Sequence, residues 1–312
     1  MTPTAECEPQ VDYVATAELM TLAFAAPEPI PPVRLEWLYN RSFSSGTTVI
    51  ALRDGQRKVG QIAMVRQTLQ LSDERETAAQ LVDLFIIPGY RGKQSLRLLY
   101  DEVGRQFIEQ KIRFAIGMPN AKALGVNAHF FQLQRYLTLP FSIGMSLSKR
   151  ISAGGLSFEF DPQDRKRLLP LLAEFGTTHT DNGLVWNETR LFDRLSRPSK
   201  KYGIHVFGNL LLISSRGRSR GIDHTLLCGF LVRPGHRASE SELGDAVRAA
   251  CLMWECRLFV YVGVNIKLPR PPGLVLPQRF RPSPMLVQLR DFRPEKAPLQ
   301  LDRYELIDFD YA

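Results

Sequence analysis

Residues Leu81–Leu99, LVDLFIIPGYRGKQSLRLL, constrain the fold more than any other stretch of this 312-residue chain. An apolar run meets a Pro-Gly pair, passes through a basic loop containing Gly92, and re-emerges with Leu96, Leu99, Val103 and Phe107 at helical spacing. The near-continuous apolar character of Ala78–Ile87 predicts a strand buried on both faces, so the segment reads strand, loop, helix. Such a junction can hold an anion. The first backbone N–H groups of a helix have no intrahelical partner and sit at the positive end of its dipole. Arg91, Lys93 and Arg97 place further positive charge around the same point.

The flanking sequence alternates elements in the same way. Helices are expected at Thr16–Phe24 and Leu35–Tyr39, on either side of a Pro-rich loop at Pro27–Pro32. Strands are expected at Thr47–Leu52 and Val59–Thr68, joined by Asp54 and Gly55. After the central helix come a strand at Arg113–Met118, a long helix from Ala121 to about Tyr136, and a strand at Phe141–Ser148. The second half repeats that order weakly. It has strands at Leu156–Phe160, Ile204–Phe207, Leu210–Ser214, Leu226–Val232 and Leu258–Val264, helices at Gln163–Phe175 and Glu240–Trp254, and closing strands at Met285–Leu289 and Tyr304–Phe309. A duplicated α/β fold with a mixed sheet in each copy is the simplest reading. Two domains of about 150 residues also suit the length. The expected division is residues 1–150 and 151–312, with a flexible seam in Lys149–Gly155.

Composition narrows the function classes. With 44% hydrophobic and 23% charged residues the chain is expected to be soluble and globular, and no apolar run is long enough for a membrane span. The start, MTPTAECEPQ, lacks the basic and apolar regions of a signal peptide, so a cytoplasmic location is expected. Cys7, Cys228, Cys251 and Cys256 have no metal-ligand spacing, and neither a metal site nor a disulfide framework is expected. The net charge of +8 is concentrated: Arg194–Arg237 carries nine Arg or Lys against one acid, Asp223. That run is either a solvated surface with a hairpin tip at Arg216–Gly221 or a landing surface for an acidic partner. Nucleic acid is the least favoured such partner, because no helix-turn-helix, RNA-recognition or zinc-finger pattern accompanies the charge.

Three segments together resemble the GNAT superfamily of N-acetyltransferases. DLFIIPGYRGKQSLRLL is similar to its central strand, P-x-x-R-G-x-G-x-G/A loop and helix. GMPNAKA (Gly117–Ala123) resembles the end of its next strand, and YLTLPF (Tyr136–Phe141) its Y-x-K-x-G-F segment. The resemblance covers roughly residues 10–150; the second half shares only the order of elements. It implies two tandem GNAT-like domains, the first binding acetyl-CoA or another acyl-CoA in a sheet that splays beside the motif strand. Phe85, Ile86 and Ile87 would then line the pantetheine arm. Tyr90, Arg91, Gly92, Lys93, Gln94, Ser95 and Leu96 would face the phosphates, with Asn120 nearby. Gln94 and Leu96 stand where the family carries glycine or another small residue, which lets the backbone approach a phosphate closely.

Acyl transfer from a thioester to an amine needs a neutral amine, a polarised carbonyl and a proton for the departing thiolate. Asp83, the one carboxylate in the apolar motif strand, is either the base or a cap on a neighbouring backbone group. Tyr136, by resemblance, is the candidate acid; a packed aromatic is the alternative. His129, beside Phe130 and Phe131, reads as a structural histidine. Arg233–Leu243 occupies the corresponding loop of the second half but lacks R-G-x-G, so that copy is expected to bind no coenzyme. The function expected is an acyl-CoA-dependent N-acyltransferase with the second domain shaping the pocket for a small-molecule or protein amine. The alternatives are an acyl-carrier-protein-dependent transferase that uses the basic run, and a non-catalytic coenzyme A-sensing or protein-binding module.

Overall fold

The computed structural model describes residues 3–43, 45–148, 150–151, 154–178, 181–219, 221–281 and 285–309. The chain forms two units, one of Met1–Thr68, Arg75–Leu137 and Leu286–Pro298, the other of Leu69–Glu74, Thr138–Met285 and Leu299–Ala312. The first ten elements are β1 (Thr4–Glu8), α1 (Tyr13–Phe24), α2 (Pro32–Asn40), β2 (Thr47–Asp54), β3 (Arg57–Leu71), β4 (Glu74–Ile86), α3 (Lys93–Glu109), β5 (Phe114–Gly117), α4 (Ala123–Phe131) and β6 (Gln134–Thr138). The chain continues as β7 (Phe141–Met145), β8 (Leu156–Glu159), α5 (Arg165–Ala173), β9 (Gly183–Leu184), α6 (Glu188–Leu195), β10 (Gly203–Phe207), β11 (Leu210–Ser219) and β12 (Ile222–Val232). It closes with α7 (Glu240–Met253), β13 (Leu258–Asn265), β14 (Leu274–Val275), β15 (Leu286–Asp291) and β16 (Arg303–Glu305).

Apart from the two-residue β9, the order from β1 to β5 recurs from β8 to β13, so the weak repeat in the sequence is a repeat of topology. One sheet runs β1-β2-β3-β4-β5-β15-β6 and the other β8-β10-β11-β12-β13-β7-β14. Each includes a parallel pair, β4 with β5 and β12 with β13, bridged by α3 and α7 respectively. The strand beyond each parallel pair comes from the far half of the chain. β15 pairs with β5 from Gln288↔Gly117 to Asp291↔Phe114, and β7 pairs with β13 from Leu258↔Met145 to Val262↔Phe141.

This exchange corrects the expected division at residue 150. The chain leaves the first unit after Leu137 and returns to it for Leu286–Pro298. Backbone pairing decides membership, and local sequence does not encode the partner of a strand. Of the expected seam, Lys149, Ser152 and Ala153 lie outside the described residues.

Arg113 fastens the returning strand. Its side chain, 2% exposed, pairs with Glu76 at 3.1 Å and Asp291 at 3.0 Å and donates to the Ala297 carbonyl at 2.6 Å. A buried guanidinium is tolerated only with such compensation. Asn127 of α4 adds a 3.1 Å hydrogen bond to Gln288 of β15. Leu99, Val103 and Phe107 of α3 are fully buried where that helix packs against β1 and β2. In the second unit Leu243, Ala246, Val247 and Ala250 of α7 pack with Leu212, Leu227, Phe230 and Tyr261. Burying each large apolar side chain contributes about 1.5–3 kcal/mol.

Two helices differ from expectation. The stretch Ala121–Tyr136 is not one helix: α4 stops at Phe131 because Gln132 takes the left-handed conformation at φ 58°, and the chain re-emerges as β6. Tyr136 therefore lies on a strand. Helix α6 was not anticipated; it begins where the Asn187 side chain accepts a 2.8 Å hydrogen bond from the Arg190 N–H.

Candidate functional site

The motif strand separates from its neighbour inside the first unit. The β4–β5 ladder runs from Ala78↔Phe114 to Leu81↔Gly117, where β5 ends, while β4 continues through Ile86. Its last residues have no β5 residue beside them, so that side of the strand is open to a ligand except where Arg91 takes the Ile86 carbonyl. The opposite edge stays tied to β3, with the Ile87 N–H donating to the Val59 carbonyl at 2.9 Å. Gly60 makes that approach possible: a Cβ there would lie 2.7 Å from the Phe85 carbonyl oxygen. Phe85, Ile86 and Ile87 are buried, and the Phe85 ring meets Phe24 edge-on at 6.2 Å.

Ile87-Pro88-Gly89-Tyr90 then forms a tight turn, closed by Tyr90 N–H to the Ile87 carbonyl at 3.2 Å, with Gly89 at φ 91°. Proline second and a left-handed glycine third are the residues such a turn requires. Tyr90 is fixed by its hydroxyl, which donates to Asp54 at 2.8 Å. Ser95 is buried and donates to the Tyr90 carbonyl at 2.6 Å. Arg91 reaches back, donating to the Ile86 carbonyl at 2.9 Å and the Ala23 carbonyl at 2.6 Å. It clamps the end of α1 to the end of β4, and that commits two of its nitrogens.

Helix α3 starts at Gly92 with no side-chain cap, and its first internal bond is Leu96 N–H to the Gly92 carbonyl at 3.2 Å. The N–H groups of Lys93, Gln94 and Ser95 meet no acceptor among the described residues. Lys93 and Gln94 are exposed and Leu96 is half-buried. The mouth of α3 thus presents three oriented donors and a lysine, without a carboxylate in the first turn.

Two residues before Phe85, the strand contains an outlier. Asp83 sits at φ 51°, a conformation uncommon for a non-glycine residue and one that re-aims a side chain within a strand. Its carboxylate accepts a 2.8 Å hydrogen bond from the Tyr39 hydroxyl, which itself accepts one of 2.8 Å from Gln61 Nε2. Tyr39 and Gln61 are buried, and neither was a candidate. Residues 44 positions apart in the chain, as Tyr39 and Asp83 are, carry no spacing signal.

The other candidates stand apart from this group. Asn120 turns the chain into α4, its side-chain oxygen accepting from the N–H groups of Lys122 and Ala123, both at 3.0 Å. Tyr136 is half-buried on β6, separated from β4 in the sheet by β5 and β15. His129 packs edge-on against Phe130. No group of metal-ligating side chains is gathered among the described residues, and no helix of them is long and apolar enough to cross a membrane.

The second unit has the same layout with both halves of the cleft filled by its own carboxylates. After the last β12–β13 pair, Leu227↔Tyr261, strand β16 pairs with β13 and places Glu305 in the gap. Glu305 accepts from the Phe230 N–H at 3.0 Å and the Tyr261 hydroxyl at 2.9 Å. Burial pushes its carboxyl up to about 8. At the mouth of α7, Ser239 and Glu242 form a reciprocal cap, and Glu242 also takes the Asn209 N–H at 2.7 Å. Of the first-turn donors of α7, that of Glu242 is occupied by Ser239 Oγ, and the Glu242 carboxylate itself lies at the helix mouth.

The basic run is not one surface. Arg194 is buried and donates to the carbonyls of Ile307 and Phe309, and Arg233 pairs with Glu174. Arg216 and Arg218 flank Asp223 at 2.9 and 3.7 Å on an exposed hairpin; Arg220 lies outside the described residues.

No protein-family model matches the sequence, and no curated protein matches it. Solved structures do match. A protein from Enterococcus faecalis described as a probable N-acyltransferase superposes with a TM-score of 0.65 at 13% identity, over 93% of this chain and 73% of that one. A GCN5-related N-acetyltransferase from Anabaena variabilis gives 0.61 at 11% identity, with coverage of 93% and 73%. The fold is therefore that of the GNAT N-acetyltransferases. More particularly it is a tandem GNAT fold, as in the tandem GNAT protein of the clavulanic acid biosynthesis pathway, matched with a TM-score of 0.52 and 12% identity over 93% of this chain and 98% of that one.

Proposed function

We propose that the protein is an acyl-CoA-dependent N-acyltransferase whose donor site is the cleft of the first unit. The observation that carries this reading is the contrast between the two units. In the first, a strand that outruns its partner and an uncapped helix mouth remain open; in the second, Glu305 and Glu242 fill the equivalent places. A pantetheine arm is suited to the free edge of β4, and a pyrophosphate to the N–H groups of Lys93, Gln94 and Ser95 with Lys93 and Arg97 beside it. The amine attacks the thioester carbonyl, a C–N bond forms, the C–S bond breaks, and one proton passes from nitrogen while the thiolate gains another. In this proposal Asp83 takes the amine's proton, a reading supported by its strand outlier beside the end of the β4–β5 ladder.

Isothermal titration with acetyl-CoA and with a long-chain acyl-CoA tests the reading. One site per chain is expected; absence of heat with both removes it. A carrier protein as donor remains a proposal resting on the exposed Arg216–Arg218 hairpin, and its binding would weaken with salt. Tight binding without turnover over a panel of amines would instead favour the coenzyme-sensing reading, to which Gln94 and Leu96 at glycine positions lend support.

A further inference from the structure

We infer that Tyr39 is a positioning residue for Asp83, holding its carboxylate toward the acceptor amine through a hydrogen bond that Gln61 backs. The inference rests on the transferase reading above and adds the device that aims the base. Three observations carry it. The first is the left-handed Asp83 within β4, immediately past the point where β4 loses β5. Such strain persists only when surrounding contacts over-determine it, and it concentrates at sites of function. The second is the geometry of the chain of donors: Gln61 Nε2 to Tyr39 Oη and Tyr39 Oη to Asp83 Oδ2, both 2.8 Å. Because Gln61 Nε2 can only donate, the Tyr39 hydroxyl hydrogen is directed at the carboxylate.

The third is burial. Tyr39 and Gln61 are 3% and 0% exposed, so water does not compete for either bond, while Asp83 itself is half-buried and reachable. Three elements meet at this point: α2 supplies the phenol, β3 the amide and β4 the acid. A short polar chain in an otherwise apolar region is high-stakes, because each group left unpaired there costs the full desolvation of that group. The surrounding packing, including the Tyr13 ring at 6.3 Å, holds the phenol ring independently of its hydroxyl.

Tyr39→Phe isolates the hydroxyl. Loss of a hydrogen bond to a charged group predicts a roughly tenfold to hundredfold fall in kcat for acetyl transfer to a responsive amine, with acetyl-CoA affinity within twofold of native. The amine panel is octylamine, an aromatic amine and a lysine-containing peptide. Carbon NMR of labelled aspartate in the acetyl-CoA-free protein gives a second measurement independent of turnover: the Asp83 carboxyl should titrate at higher pH in Tyr39→Phe than in the native chain. Gln61→Glu, which exchanges the donor for a carboxylate, should shift it in the same direction. If kcat falls but the Asp83 titration is unchanged, or if neither moves, the positioning role is wrong. If the native protein transfers to none of the amines, the transferase reading fails, and the NMR titration still decides the Tyr39–Asp83 coupling.

Discussion

Replacing Gly92 with aspartate would give the first unit the kind of helix cap that the second already has. Gly92 is extended, at φ 165° and ψ 171°, and a Cβ there meets nothing within 4 Å, so the side chain fits without strain. An aspartate at that position accepts hydrogen bonds from the second or third N–H of the helix, here those of Gln94 and Ser95. One of the three open donors would be spent. A charge-assisted hydrogen bond contributes about 1.5–3 kcal/mol, so a pyrophosphate that loses one should bind about 1.5–3 kcal/mol more weakly, a factor of roughly 10 to 10². The new negative charge opposes the ligand as well. Folding should respond in the opposite sense, because aspartate in place of glycine at a helix start stabilises by a few tenths of a kcal/mol. Titration calorimetry with acetyl-CoA and thermal unfolding of the same samples check both signs. An acetyl-CoA affinity within threefold of native, in a variant whose Tm is unchanged or raised, would refute placement of the pyrophosphate at α3.

Further outcomes follow from the packing and from the buried acids. Gly60→Ala sets a methyl 2.7 Å from the Phe85 carbonyl and should destabilise the first unit by about 1–3 kcal/mol, read as a lowered Tm. Arg113→Met leaves Asp291 without its cation and Glu76 with Lys296 alone, and should cost about 3–5 kcal/mol, with faster proteolysis in Leu286–Pro298. Glu305 titrates at about 8 in the folded chain, against an ordinary carboxyl value near 4.5 when unfolded. The native state therefore keeps a proton the unfolded chain releases, and this contribution, complete below about 4.5, is lost as pH rises through 8. Urea unfolding should show a flatter pH dependence across that window for Glu305→Gln.

The strand-loop-helix of Leu81–Leu99 was legible because each residue type acts locally: apolar side chains bury the strand, Pro88 and Gly89 impose the turn, and Leu99, Val103 and Phe107 fix one helical face. Most other strands and both long helices were legible for the same reason. The end of α4 was not, since it depends on Gln132 adopting a left-handed conformation that its side chain does not advertise. Edge strand β1, TAECE, lacks an apolar run and was invisible for that reason. Strand β15 was recognised as a strand but assigned to the wrong sheet, because its partner is chosen by Arg113, Asn127 and the free edge of β5. At the site, the contiguous residues 85–96 could be read together. The Gln61–Tyr39–Asp83 chain could not, as it exists only after three elements have packed.

The traded strands also set a timetable. Arg113 waits for Asp291, 178 residues further along. At a synthesis rate of about 5–20 residues per second, the ribosome needs roughly 9–36 s to deliver that partner. Throughout that interval the β5 edge of the nascent first sheet lacks β15, an open template of the kind that invites pairing with another chain. In the second sheet the neighbour of β13 causes no such delay, for β7 has emerged before β13 is made, and the last strand to arrive there is the three-residue β16, shortly after β15.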